Sequence, residues 1–241
     1  MRIARVAGIP VDLHWSFLLL AVAWLGSAAL ASGPAAAIAG ALPVVALFGS
    51  VVLHELGHAL AARGFGLHTD SITLYPFGGV ARIRADGLTP VAEFVVAIAG
   101  PAVNVALALA AGAAYLVFPA APLLVFAGLN VGMGLFNLVP AFPMDGGRVL
   151  RALLAGALGY VDGSRIAFTV GQVLAVGFVI GGVALGAWSL AMVGVFVFLA
   201  AGAERGRLAA AMRPKRGPRR SGVEGTLDGP AGPIRWRVAG R

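Results

Sequence analysis

His54-Glu55-Leu56-Gly57-His58 places two imidazoles four residues apart inside an apolar stretch of the 241-residue chain. On a helix, positions i and i+4 share a face, so both rings can offer a nitrogen to one metal ion. Glu55 lies about 100° further round and reaches a water on that ion instead of the ion itself. Zn²⁺ suits two imidazoles plus a carboxylate, with a fourth position open for water. The ion lowers the pKa of that water from about 15.7 toward about 7, and Glu55 takes its proton as it attacks a carbonyl. A carboxylate and two histidines in an apolar span cost at least a few kcal/mol unless compensated, which favours a metal site over an incidental polar face.

The chain has no Cys, so a third ligand must be His, Asp or Glu. The other ionisable groups near apolar segments are His14, His68, Asp70, Asp86, Glu93, Asp145 and Asp162. Asp145 ends the run Asn137-Leu138-Val139-Pro140-Ala141-Phe142-Pro143-Met144-Asp145, followed by Gly146 and Gly147. Prolines and glycines break the helix there, so the backbone can turn and present the carboxylate inward. His14, beside Trp15, reads as an interfacial anchor and His68 as a rim residue. Glu93 follows Thr89-Pro90 and reads as a first-turn acid facing a helix N-terminus.

These residues must be held by a membrane body. The composition is 59% hydrophobic and 12% charged, with a mean hydropathy of +0.91. Soluble domains carry about 25% charge, so an ordinary cytosolic enzyme, a disordered chain and a disulfide-stapled domain are all excluded. Residues 1–204 hold 8 Arg and 8 acids, whereas residues 205–241 hold 10 Lys or Arg and 2 acids. The net charge of +8 is thus the charge of a tail, and is no sign of nucleic-acid binding.

Six stretches approach the roughly 20 apolar residues that a span needs. They run from Leu13 to Ala31, Ala36 to Ala62, Val91 to Phe118 (interrupted by Gly100-Pro101) and Leu123 to Val139, with two more between Ile166 and Ala203 divided near Gly186 to Ser189. The expected class is an all-α polytopic membrane protein of about six helices. Residues 64–87 alternate apolar and polar side chains between glycines and read as a β-hairpin or re-entrant element between spans 2 and 3. Such backbone is tolerated near a membrane only where protein or a water-filled cavity satisfies it. Arginines flank one set of span ends, while the connections near Ser32–Pro34 and Pro119–Pro122 have none, which places both termini in the cytoplasm. The N-terminus superficially resembles a signal peptide, but its 19-residue apolar run is too long and is read as a span.

His54-Glu55-Leu56-Gly57-His58, then Gly100-Pro101-x-x-Asn104, then Asn137-x-x-Pro140-x-x-Pro143-Met144-Asp145-Gly146-Gly147 together resemble the site-2 protease family of intramembrane zinc metalloproteases. The likeness covers residues 1–205, and Val11–Phe17 resembles the compact six-span bacterial and archaeal branch. The usual third motif has Leu where this chain has Met144. The resemblance implies one zinc per chain on His54, His58 and Asp145, with Glu55 as the base. It implies that Asn137 holds the substrate backbone. The segment around Phe77, Gly78 and Gly79 would lie near the site and pair with an unwound substrate, and Asn104 would hydrogen-bond the catalytic helices. Neither a PDZ-like insert nor a nucleotide-binding CBS domain is expected. The 36 residues after Arg205 are too few and too rich in Pro, Gly and Arg to build a core, so residues 206–241 read as a disordered basic cytoplasmic tail.

The function expected is hydrolysis of a peptide bond in or next to a transmembrane helix of another membrane protein, as in regulated intramembrane proteolysis. Its partners would be the bilayer, that substrate and a regulatory membrane protein, with no nucleic acid. A non-enzymatic zinc-binding or zinc-transporting membrane protein is the alternative. Glu55 argues against it, because transport gains little from a carboxylate aimed beside the ligands. A second polar cluster across the membrane, which transport would favour, is not visible in the sequence. A pseudoprotease is disfavoured because every catalytic position is filled.

Overall fold

The structure is a computed structural model that describes residues 1–75, 78–84, 88–212, 223–229 and 232–238. Phe77 and Asp86, both singled out in the sequence, lie outside the described residues. The chain divides into two compact units, Met1–Arg205 and Gly206–Arg241.

The first unit is mostly helical. Strands β1 (Arg2–Val6) and β2 (Ile9–Leu13) lead into helices α1 (Trp15–Ser32) and α2 (Pro34–Gly64). Strands β3 (Thr69–Tyr75) and β4 (Gly78–Ile83) follow, then α3 (Pro90–Val117), α4 (Ala121–Asn137), α5 (Asp145–Leu158), α6 (Tyr160–Ala184) and α7 (Trp188–Ala211). Among the described residues, α1, α2, α3, α6 and α7 are long and apolar enough to cross a membrane, and α4 is a shorter apolar helix of 17 residues. The chain is therefore a polytopic helical membrane protein with about six spans. α1 buries none of its residues, and Leu30 and Leu116 are 92% and 84% exposed, as lipid-facing side chains should be.

In lipid, helices associate through close backbone approach, which small residues permit. A Cβ on Gly57 would stand 2.8 Å from the Ala99 carbonyl oxygen, so α2 and α3 touch where the His54–His58 motif lies. Gly194 meets Ala175, and Gly182 meets Ala191, in the same way between α6 and α7. Thr89 caps α3 by accepting from the Ala92 N–H at 3.2 Å, with Pro90 at the first helical position.

Three features differ from the expectations above. α3 runs unbroken through Gly100-Pro101, because the proline forfeits a single backbone donor within a helix that lipid forces to stay closed. α5 is an additional helix, amphipathic and only 14 residues long, that a search for 20-residue apolar runs passes over. The β element is a four-stranded sheet in the order β1-β2-β3-β4, not a hairpin alone. β1 and β2 pair antiparallel, β2 and β3 parallel, and β3 and β4 antiparallel, with Ile72 opposite Ala81 and Leu74 opposite Gly79. Val11, Leu13, Val51 and Leu74 form a small core that seats this sheet on α2. At the sheet's far end, the Arg84 side chain donates to Asp70 at 3.0 Å and holds its carboxyl below the usual carboxylate range.

In the second unit, residues 223–229 and 232–238 form an antiparallel hairpin with Thr226 opposite Arg235, where the sequence reading expects disorder. Two glycine-bounded runs around Gly229 to Gly232 permit a local pairing that needs no buried core.

Candidate metal centre

α2 carries His54 and His58 on one face, 4% exposed each, and α5 opens on Asp145, 8% exposed. The Nε2 atoms of the two histidines stand 3.1 Å apart, and each lies 3.1 Å from Asp145 Oδ2. Ligands of a tetrahedral ion at 2.0–2.1 Å stand about 3.3 Å from one another, so the triangle has the size one ion requires. The far sides of the rings are also committed. His54 Nδ1 is 2.5 Å from Asn104 Oδ1, and His58 Nδ1 is 2.6 Å from the Val96 carbonyl. Both oxygens accept, so both Nδ1 atoms carry protons and both Nε2 lone pairs face the centre. Metal-ligating histidines are held in this way, and the residues present fit a metal ion.

The backbone explains how Asp145 arrives. A Cβ on Gly146 would overlap the Leu138 carbonyl, and one on Gly147 would stand 2.7 Å from the Ala141 carbonyl carbon. The chain leaving α4 therefore folds directly over the start of α5, and only glycine fits beneath it. Met144, 5% exposed, packs with Ala141, Ala175 and Val197 and fills the place of the expected Leu. On the opposite side, α3 presents Gly100 to the two rings, and a Cβ there would overlap His58 and stand 2.7 Å from His54 Nε2.

Glu55 is half-buried beside this triangle, and its Oε2 accepts from the Ala81 N–H of β4 at 3.0 Å. Gly79, also on β4, packs so closely that a Cβ would stand 2.5 Å from Glu55 Cγ. His54, Glu55, Gly78, Gly79, Asn137 and Met144 all line one cavity of about 520 Å³. The Asn137 side chain donates to the Met133 carbonyl at 3.1 Å on the wall of that cavity. The structure thus brings His54, Glu55, His58, Asn104, Asn137, Asp145, Gly78 and Gly79 together.

The chain belongs to peptidase family M50. That family's description matches residues 42–123 and 117–178, which include all three motifs. A zinc metalloprotease of Methanocaldococcus jannaschii is 36% identical over 206 residues, 83% of this chain and 59% of that protein. Rip3 of Mycobacterium tuberculosis is 37% identical over 235 residues, 86% of this chain and 58% of that protein. The chain therefore spans less than two thirds of these curated relatives. Among solved structures, the site-2 protease from Methanocaldococcus jannaschii aligns with a TM-score of 0.61 at 32% identity, over 85% of this chain and 94% of that one.

Other sequence-derived candidates lie apart from this M50 centre. His14 caps α1, with its Nδ1 2.6 Å from Ser16 Oγ and its ring 4.8 Å from that of Tyr75. His68 stands exposed beside Asp70. Glu93 is 3% exposed, and the Arg151 Nε of α5 donates to it at 2.9 Å. It is half of a buried ion pair between α3 and α5 and not merely a first-turn acid. The sequence reading also passes over Asn130 on α4, 1% exposed, whose signal is a polar amide in the middle of an apolar span.

Proposed function

We propose that the chain is an intramembrane zinc metalloendopeptidase, cutting a peptide bond in or next to a transmembrane helix of another membrane protein. The observation that carries this reading is Glu55. A carboxylate sits beside three convergent ligands on the wall of a cavity and is itself outside the ligand triangle. His54, His58 and Asp145 would hold the zinc. When bound, zinc lowers the pKa of a coordinated water toward about 7 and polarises a carbonyl.

The protein's own groups supply the rest. Glu55 takes the proton of the attacking water and passes it to the leaving amine. The Ala81 N–H binds one carboxylate oxygen and holds Glu55 on the cavity wall. Asn137 has a second amide hydrogen and a carbonyl oxygen with which to bind substrate backbone. Gly78 and Gly79 let an extended segment approach the strand without side-chain obstruction. A substrate helix must unwind to use these contacts, since helical hydrogen bonds hide the scissile carbonyl. The arginine distribution supports cytoplasmic termini.

Glu55→Gln tests the reading. Gln keeps the size and one acceptor but takes no proton, and loss of a general base costs about 10²–10⁴-fold. The purified chain incubated with single-span substrates should cleave them, and the variant should bind zinc undiminished without cleaving. Near-normal cleavage by Glu55→Gln would overturn the assignment.

A further inference from the structure

Behind His54 runs a chain of buried amides that crosses three helices. His54 Nδ1 meets Asn104 Oδ1 on α3 at 2.5 Å, and Asn104 Nδ2 donates to Asn130 Oδ1 on α4 at 3.0 Å. Asn130 Nδ2 then donates to Ser50 Oγ on α2 at 3.1 Å, and Ser50 donates to the Ala46 carbonyl at 3.1 Å. Asn104, Asn130 and Ser50 are 0%, 1% and 2% exposed, so no water competes for these groups.

The direction of the chain is fixed from its far end. Asn130 Nδ2 also donates to the Phe126 carbonyl at 3.0 Å, and a backbone carbonyl can only accept. Ser50 has one proton and gives it to Ala46, so its oxygen accepts from Asn130. Asn130 is therefore oriented with Oδ1 toward α3, where it demands a donor. Asn104 must answer with Nδ2, whose other hydrogen bond goes to the Met133 sulfur at 3.2 Å. That turns Asn104 Oδ1 to His54, so Nδ1 carries the proton and Nε2 is the free lone pair.

We infer that Asn130 is a positioning residue for the metal centre, setting the tautomer and ring orientation of His54 through Asn104. This rests on the zinc reading above. Without Asn130, the Asn104 amide is free to rotate end for end and present a donor to His54 Nδ1, which favours the tautomer whose Nε2 cannot bind a metal. The groups that hydrogen-bond the far nitrogen of a ligating histidine control metal affinity about 10–100-fold, and Asn130 stands one step further out.

The test is zinc affinity of the full chain in detergent, by competition with a chromogenic chelator. Asn130→Leu should weaken zinc about tenfold, the lower end of that range. Asn130→Asp keeps an acceptor oxygen toward Asn104 Nδ2 and should stay closer to wild type than to the Leu variant. In an Asn104→Leu background, Asn130→Leu should cause no further loss, because its effect travels through Asn104. Should Asn130→Leu not fold, Asn130→Ser, too short to bridge Asn104 and Ser50, carries the same expectation. Wild-type affinity in the Leu or Ser variant, or an equal loss in both backgrounds, would overturn the inference. A wild-type chain that binds no zinc would instead overturn the metal reading itself.

Discussion

His58 meets the same requirement as His54 by a shorter route. Its Nδ1 faces the Val96 carbonyl, which only accepts, so the proton is fixed there without help from a second side chain. On the proposed zinc reading, losing this ring would remove one ligand and leave only His54 and Asp145 at the centre. Metal analysis of wild-type protein should give about one zinc per chain, and His58→Ala should lose most of it. Undiminished zinc in that variant would remove His58 from the ligand set. Gly100 makes a stricter demand, since its missing side chain is the space both rings occupy. Gly100→Ala keeps helix α3 and even favours it by about 0.5–1 kcal/mol, so a folding defect is not expected. The added methyl must displace His58, and zinc affinity should fall about tenfold or more. Retained affinity would mean that α2 and α3 can part without disturbing the triangle.

α5 has to bring Asp145 to α2, and its anchor is the pair formed by Arg151 with Glu93 of α3. The Arg151 guanidinium also stacks 4.9 Å from the Phe142 ring centroid. Removing one partner of a buried ion pair strands a charge and costs about 3–5 kcal/mol, whereas replacing both with apolar groups is often close to neutral. Arg151→Met should therefore lower the thermal midpoint in detergent and loosen zinc, and Glu93→Leu combined with Arg151→Met should recover much of the loss. A double variant as unstable as the single would show that the pair does not seat α5. The same helix marks the limit of what the sequence made legible. The spans were readable because 20-residue apolar runs have one solution in lipid. The convergence of His54, His58 and Asp145 was legible because two histidines stand four residues apart on a helix and the family resemblance points to the aspartate. α5 is short and carries Arg148 and Arg151, so hydropathy is silent about it. β1 and β2 were missed because Ile9–Leu13 gains its place from parallel pairing with residues 72–74, far along the chain. Glu93 looked like a local helix feature because its partner lies 58 residues away.

Across the whole molecule, the charge is divided between a neutral body and a basic tail. Truncation after Met212 keeps all of α7 and removes most of the excess charge, and the shortened protein should still bind zinc in detergent. Loss of zinc on truncation would show that the tail supports the centre. Sidedness follows from the placement of the remaining arginines. The connections α1–α2 at Gly33, α3–α4 at residues 118–120 and α6–α7 at residues 185–187 contain no Lys or Arg. Arg63, Arg82, Arg84, Arg148, Arg151 and Arg165 all lie toward the opposite helix ends or the segments joining them. Charge retained on the cytoplasmic face fixes helix orientation, so the uncharged connections should face outward. A chain without cysteine makes the test direct, because each introduced thiol is the sole target of a maleimide. Ser32→Cys and Ala120→Cys, both at exposed positions, should react in intact cells with a reagent that cannot cross the membrane. Phe65→Cys and Met212→Cys are also exposed and should react only after permeabilisation. The reverse pattern would invert the protein in the membrane and place the sheet and the approach along β4 on the outer side. Labelling of Ser32→Cys and Phe65→Cys from the same side would mean that α2 does not cross the bilayer at all.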